Sequence, residues 1–319
     1  MVVDLVKRTI GGQCAPSEKG RHDGTCLRYE DVRELKDWLI KLGKHPDLRK
    51  QTPNCKSGDD ACMLSELREM GIPTRKIERE RLVPEAPASW SSKPSTWLTT
   101  PEFGQVMKQY EVAYPEFEFL GATPIDFAKP LGSSCVWPRI CQFTLAKAKA
   151  RGKTKVGMVF NEDGHSQPGS HWICAFIDIS KGVFYYIDSV GNPMPEEVQK
   201  LSTRLSDESQ QLYNRPLTVL VSEVPHQRGD NQCGMYCLFF IITLLTGTAS
   251  YEELLQRRIP DSAMADMREV LFRKSSPMKR KSQITKKRNS KKGGKTRRVE
   301  RKRGKRRHRR STVTRSKRH

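Results

Sequence analysis

The sequence predicts an α+β domain over residues 97–273, with a helical arm before it and a basic tail after it. Three observations carry this. Helix-period and strand-period segments are mixed between Trp97 and Arg273. Two stretches before residue 82 show apolar residues at helical spacing only. The charge is also segregated. The 319 residues hold 58 lysines and arginines against 36 acids, a net charge of +22, yet 24 of those bases and a single acid, Glu300, lie between Arg273 and His319. Residues 1–272 are left with 34 bases against 35 acids. A globule with a uniformly basic surface is excluded; the chain reads as a near-neutral body with an electrostatic appendage.

The arm comes first, over residues 1–82. Val32, Leu35, Leu39 and Leu42 mark one face of a helix over 30–42, and Gly43 suits the position just past its end. Met63, Leu64, Leu67 and Met70 mark a second over 59–70, stopped by Gly71 and Pro73. Residues 83–96, rich in Pro, Ser and Ala, read as a linker. The domain then opens with Thr100-Pro101 as N-cap and first helical residue, followed by Phe103, Val106, Met107 and Tyr110 on one face. A helix is expected over 138–151, closed by Gly152. Strands are expected over 155–160, 171–178 and 183–188, the last two forming a hairpin about Ser180-Lys181-Gly182. A helix over 196–205, with Val198, Leu201 and Leu205 inward, and a β-branched strand over 217–224 follow. An apolar and central helix is expected from Cys233 to Leu245. Ser250 and Glu253 form a capping box for one more. The tail, 274–319, is too polar to offset chain entropy by burial and is expected to be disordered alone.

The most apolar stretch, Cys237 to Leu245, falls short of the roughly 18–20 residues a membrane span needs, so no membrane partner is expected. The N-terminus has no apolar run of the signal-peptide kind. The nine cysteines stand as singles at 14, 26, 55, 62, 135, 141, 174, 233 and 237, with no Cys-x-x-Cys. Free thiols in a reducing compartment are therefore expected, with no metal site and no cofactor.

Three stretches carry chemistry: His171-Trp172 opening a strand, Tyr185-Tyr186-Ile187-Asp188-Ser189 ending the next, and Val224 to Gly234 leading into the apolar helix. They fit an activated thiol. A free cysteine is mostly protonated at neutral pH, and a helix N-terminus or a protonated histidine favours its thiolate. Cys233 stands where a loop enters a helix. If the two strands pair, Asp188 fixes the imidazole of His171, His171 takes the thiol proton, and Cys233 attacks a carbonyl. Gln227, six residues before Cys233, can donate its side-chain N–H to the oxyanion, with the Cys233 backbone N–H as second donor.

As a set, His-Trp, fifteen residues, Asp-Ser, then Pro-x-Gln, five residues and Cys-Gly at the start of an apolar helix resembles the ubiquitin-like-protein-specific protease superfamily. That group includes the deSUMOylating enzymes and the adenovirus protease. The resemblance covers roughly 97–247, and Trp97-Leu98-Thr99 is similar to the opening of that domain. It implies a papain-related cysteine protease core in which His171, Asp188, Gln227 and Cys233 fall on the catalytic His, Asp, oxyanion Gln and nucleophile. Deconjugases usually read Asp-Cys-Gly where this chain has Gln232-Cys233-Gly234, a departure that bears on substrate class rather than chemistry. The stretches WLTTPEFGQVMKQYE, YPEFEFLGATPIDF and IPDSAMADMREVLF look closer to the processing proteases of large DNA viruses, iridovirus-like and African-swine-fever-like. That implies maturation of virion polyproteins after small residues, often Gly-Gly, in the virion and at a cytoplasmic or nuclear assembly site of the host cell. Some of those enzymes also carry a helical N-terminal arm.

Several residues have competing roles. Asp178 is a rival acid for His171, or a turn-capping residue. Cys237, one turn past Cys233, reads as a core cysteine. Cys174 with His171 would need one strand face to be a metal pair, and their spacing puts them on opposite faces. Trp97, Trp172 and His226 are candidates for the walls of the substrate cleft; Trp172 has a core alternative and His226 a solvated one. Cys14, Cys26, Cys55 and Cys62 match no metal spacing and read as free thiols.

In the tail, Lys286, Lys287 and Arg288, and the run Arg301, Lys302, Arg303, Lys305, Arg306, Arg307, Arg309 and Arg310, are candidates for nucleic-acid binding by phosphate neutralisation, or for nuclear targeting. No aromatic residue follows Phe272, so base stacking is not offered. Gly11-Gly12 and Gly293-Gly294 are either self-processing sites or flexible spacers. Two other functions stand beside the maturation protease: a deconjugase of ubiquitin-like modifiers, and a non-catalytic nucleic-acid-binding virion protein.

Overall fold

The computed structural model describes residues 13–18 and 24–274. The candidate tail residues from Lys286 to Arg310, Gly11-Gly12 and Gly293-Gly294 lie outside them. A mixed five-stranded sheet organises the domain: β1 (Phe117–Pro124), β4 (Lys155–Asn161), β5 (Trp172–Asp178), β6 (Val183–Ile187) and β7 (Thr218–Ser222), in the order β1-β4-β5-β6-β7. The three central strands are antiparallel, and each edge strand runs parallel to its neighbour. Short β2 (Pro130–Leu131) and β3 (Ser134–Cys135) pair by themselves.

Both faces of the sheet are covered, so its strands alternate between two apolar cores rather than between core and water. In β5, Trp172, Cys174 and Phe176 enter one core while Ile173, Ala175 and Ile177 enter the other. Tyr185 and Ile187 of β6 join the first; Phe184 and Tyr186 join the second.

The first face receives α5 (Thr100–Ala113), α9 (Cys233–Thr246) and α11 (Asp261–Leu271). Of these α9 lies closest, nearly all of it buried. A Cβ on Gly157 of β4 would come within 3.1 Å of Ile241, so the missing side chain lets helix and sheet meet. Lys155 reaches from β4 to the carbonyl of Leu245 at 3.0 Å and caps the far end of α9. The near end, where Cys233 sits, is thereby fixed against the sheet. The second face receives α8 (Glu196–Tyr213), α6 (Pro138–Cys141) and α7 (Leu145–Ala150).

Several expected boundaries change. The helix expected over 138–151 is two helices, because Thr144 starts a new one by accepting the Lys147 N–H. The helix from Glu196 runs on to Tyr213 and stops where Asn214 turns left-handed. Helix α5 takes Thr99, not Thr100, as its N-cap, boxed with Glu102. The strand expected over 217–224 is trimmed to β7. The hairpin turn is as expected, with Asp178 accepting the Lys181 N–H, and the capping box of Ser250 and Glu253 opens α10 (Tyr251–Leu255).

The arm has its own core. Helices α1 (Tyr29–Lys41), α2 (Leu48–Gln51), α3 (Asp60–Glu69) and α4 (Arg75–Arg81) bury Leu27, Leu35, Leu39, Leu64, Leu67, Ile77 and others together; Leu42, expected inward, is exposed. Buried charges tie it further, with Arg81 bridging Asp31 and Glu18. The free-thiol expectation is corrected for six cysteines: Cys14–Cys26, Cys55–Cys62 and Cys135–Cys141 are disulfides with Cα separations of 5.2, 5.6 and 6.8 Å. Sequence spacing carries no sign of these pairings, because chain reversals bring the partners together. Cys174, Cys233 and Cys237 remain free. Residues 83–96, expected as a linker, bring Trp90 into the first core against Phe272 and pair Glu85 with Arg273. Arg273 also reaches Glu78 of the arm at 3.2 Å.

Candidate active site

Cys233 is the first residue of α9, and the first N–H groups of a helix have no intrahelical partner. Those donors and the helix dipole favour negative charge at this end of the helix. Gly234 follows for a packing reason. A Cβ there would lie 2.9 Å from the Cβ of Leu98, so α9 starts hard against the segment that opens the domain.

His171 and Asp188 come to the same end of the sheet, each one residue outside its strand. Antiparallel β5 and β6 pair Cys174 with Ile187, which sets His171 beside the turn that carries Asp188. The His171 Nε2–H donates to Asp188 Oδ1 at 2.6 Å. Fully buried Asp188 also accepts the backbone N–H groups of Val190 at 3.1 Å and Asn192 at 3.0 Å. The turn needs Gly191 at φ +80°, where a Cβ would meet the Glu223 carbonyl. On the other side of the charge balance stands Cys233, whose thiol acts on the ring with Asp188 to favour the charged imidazole. Burial opposes protonation of His171. The bonds to Asp188 and Cys233 and their charges outweigh it and push the imidazole up to about 10. Asp178, the rival acid, is taken up by its turn.

Gln227 is buried and doubly held. Its Oε1 accepts the Ser189 hydroxyl at 2.8 Å, and one N–H of its amide donates to the Gly229 carbonyl. Its backbone N–H donates to the Ser189 carbonyl at 2.7 Å. Adjacent residues thus serve the two halves of the site: Asp188 orients the imidazole and Ser189 orients the amide. The loop is anchored from behind by Asp261, which accepts the N–H groups of Arg228 and Gly229 and the Tyr236 hydroxyl.

Two of the three cleft candidates are corrected. His226 is fully buried among the rings of Tyr236 and Phe240, and its Nδ1 accepts the Ile259 N–H at 3.0 Å. Trp172 packs edge-on to Phe103 and donates its indole N–H to the Leu98 carbonyl at 2.9 Å. Trp172 belongs to the first core by strand alternation, and His226 is enclosed by rings of α9. Trp97 is half-buried and adjoins Leu98 at the start of α9. Cys237 is a core cysteine, its thiol pushed up by burial and by its bond with Cys174.

Two residues escaped the sequence reading. Glu162 follows β4; since Asn161 pairs with Trp172, the antiparallel register places Glu162 opposite His171. The ligating atoms of Glu162, His171 and Asp188 lie within 4.8 Å of one another. Burial raises the Glu162 carboxyl, with Asp188 adding to it and His171 opposing. A hairpin register would have found it. Arg268 lies behind Cys233 on α11, and no local pattern marks it.

Residues 153–282 match the Ulp1 protease family, C-terminal catalytic domain. A protein of Acanthamoeba polyphaga mimivirus named as a thiol protease is 26% identical over 219 residues, covering 68% of this chain and 70% of that protein. A cysteine protease of African swine fever virus (isolate Tick/Malawi/Lil 20-1/1983) is 25% identical over 277 residues, covering 81% of this chain and 96% of its own length. The crystal structure of an African swine fever virus protease superposes with a TM-score of 0.64 at 21% identity, over 83% of this chain and 96% of that one. That likeness shows the fold. The matched span holds the imidazole, the carboxylate, the amide and the helix-leading thiol: the chain carries a Ulp1-family protease domain and is a cysteine protease.

Proposed function

We propose that the protein is an endopeptidase that matures viral structural or core polyproteins, cutting after small residues such as Gly-Gly, with Cys233 as nucleophile. The observation that carries the reading is the imidazole of His171 bonded to buried Asp188 at 2.6 Å, with the thiol that begins α9 acting on the same ring.

The Cys233 sulfur attacks the scissile carbonyl, a C–S bond forms, and the carbonyl π electrons move to oxygen. The oxyanion is met by the Cys233 backbone N–H and by the second N–H of the Gln227 amide. Protonated His171 gives its proton to the leaving amine as the C–N bond breaks. Water then attacks the thioester, His171 takes its proton, and the sulfur leaves. Asp188 holds the ring in one tautomer and stabilises its charged form throughout.

The deconjugase reading has a specific support: some African swine fever virus relatives, 24% identical over 277 residues, are named SUMO-1 cysteine proteases. One experiment separates the two. Wild type and Cys233→Ala are offered a peptide library centred on small residues and a panel of ubiquitin-like fusions. Cleavage after Gly-Gly in peptides, lost in the variant and absent on folded modifiers, is the expected result. Cleavage of modifier fusions alone would move the protein to the deconjugases. Absence of Cys233-dependent cleavage would leave the non-catalytic, nucleic-acid-binding reading.

The charge of residues 274–319 supports a second part of the proposal, binding of packaged nucleic acid by the tail, which would hold the enzyme near its substrates. Truncation at Lys274 is expected to abolish DNA affinity at low salt; unchanged affinity would refute it.

A further inference from the structure

Arg268 is a buried cation without a carboxylate. Its side chain projects from α11 toward the start of α9 and is 7% exposed. One Nη donates to the Thr96 carbonyl at 2.8 Å and the other to Gln232 Oε1 at 3.4 Å, while the guanidinium lies 4.2 Å from the centre of the Trp90 ring. Its Nε has no partner. Among the described residues Arg268 forms no ion pair. Through Gln232 it adjoins Cys233, the next residue, and it also feels Glu102, whose carboxylate is taken up in the capping box of α5. Burying a guanidinium against carbonyls, an amide and an aromatic ring forfeits its hydration, and such charges are normally paired. The group here that lacks a fixed counter-charge of its own is the reacting sulfur. Burial brings the guanidinium down to about 10, with Cys233 and Glu102 opposing, so it stays charged at neutral pH.

We propose that Arg268 is a positioning residue for the reaction: clamped by Trp90, Thr96 and Gln232, its guanidinium is the fixed counter-charge of the Cys233 sulfur. The proposal rests on Cys233 being the nucleophile. It divides the labour between two cations. His171 gives up its proton to the leaving amine and so loses its charge during each cycle. Arg268 cannot, so the field at the sulfur persists while the imidazole shuttles. The other titratable groups on which the thiol acts are His171 and Cys237, both of which also feel Asp188. Gln232, the N-cap of α9, serves as the link: its amide oxygen accepts from Arg268, and its backbone continues directly into Cys233.

The test compares alkylation of Cys233 in the full chain by anionic iodoacetate and neutral iodoacetamide at neutral pH, with Cys233→Ala as background. A fixed cation favours the anionic reagent, whereas a packing role affects both reagents alike. Arg268→Gln is expected to lower the iodoacetate-to-iodoacetamide rate ratio about tenfold, as loss of a nearby buried charge should. Arg268→Lys should restore most of it. Gln232→Glu is isosteric and sets a carboxylate on the same guanidinium without removing packing, so it should lower the ratio too, even if Arg268→Gln does not fold. Both rates falling together with the ratio unchanged, or a Gln232→Glu ratio equal to wild type, would overturn the proposal while leaving Cys233 as nucleophile. Wild-type Cys233 no more reactive than background would remove the nucleophile reading itself, and the proposal with it.

Discussion

Two corners of the molecule withdraw a histidine from water and leave it in opposite states. His171 lies at the end of β5 beside Asp188; His226 lies under the loop that leads to Cys233, among Tyr236 and Phe240. Burial acts on both in the same direction, against the charged form. At His226 nothing opposes it and the charge of Arg258 adds to it, so the ring is held down to about 4. At His171 a carboxylate and a thiol oppose it, and the ring is pushed up to about 10. Burial alone therefore makes a neutral core imidazole. The buried carboxylate makes a charged one, which is what the proposed chemistry needs.

Removing that carboxylate should break the contrast most strongly. Asp188→Asn leaves His171 with burial and without the charge that offsets it, so the ring should lose its proton at much lower pH. We expect kcat/KM at neutral pH to fall by about 10³–10⁴, the scale seen when a triad carboxylate is made an amide. The alkaline limb of the pH–rate profile should move down from near 10, because the charged imidazole is lost once the ring deprotonates. The same shift contributes stability that is fully present below the unfolded pKa near 6.5 and is lost as pH rises through about 10. An alkaline limb that stays in place in Asp188→Asn would show that Asp188 does not set the state of the ring.

Gln227 sharpens the comparison within the His226 corner, since its neighbour in sequence is fully buried among rings. Gln227→Ala should lower kcat by about 10²-fold with KM little changed, as loss of one oxyanion donor does. Ser189→Ala, which removes one of the two bonds that hold the amide and leaves that to Gly229, should cost less. A loss confined to KM would mean that Gln227 binds ground-state substrate instead.

How much of this was legible beforehand follows from what is local. Strand alternation, the Ser180–Gly182 turn and the apolar run from Cys233 are short-range patterns, and the sheet follows from them. The positions of His171, Asp188 and Gln227 were readable because a motif lists them in order. What they touch was not. Ser189 as the partner of Gln227, Glu162 opposite His171, and Arg268 arriving from α11 are products of register and packing, separated by 38, 9 and 35 residues from His171, Gln227 or Cys233 as the case is. His226 and Trp172 adjoin catalytic candidates in sequence, which leaves the cleft open to both beside a solvated or a core place, but side chains adjacent in sequence diverge in space. The disulfides failed for the converse reason: their cysteines are separated by loops whose closure no spacing announces.

The smallest effect belongs to the buried neutral ring. His226→Asn keeps an acceptor where Nδ1 meets the Ile259 N–H and removes the titration. Because His226 is depressed from 6.5 to about 4, the unfolded chain binds the extra proton first as pH falls. Wild type therefore loses stability from about pH 6.5 down to about 4 at this site, by up to about 1.4 kcal/mol per pH unit. His226→Asn should show a flatter stability curve over that acid window, with kcat/KM at neutral pH within about twofold of wild type, the scatter expected of a residue outside the chemistry. Denaturant midpoints across the window, alongside peptide cleavage, measure both. A large fall in kcat with an unchanged acid slope would place His226 in the chemistry after all, and the two corners would no longer differ in the way their partners imply.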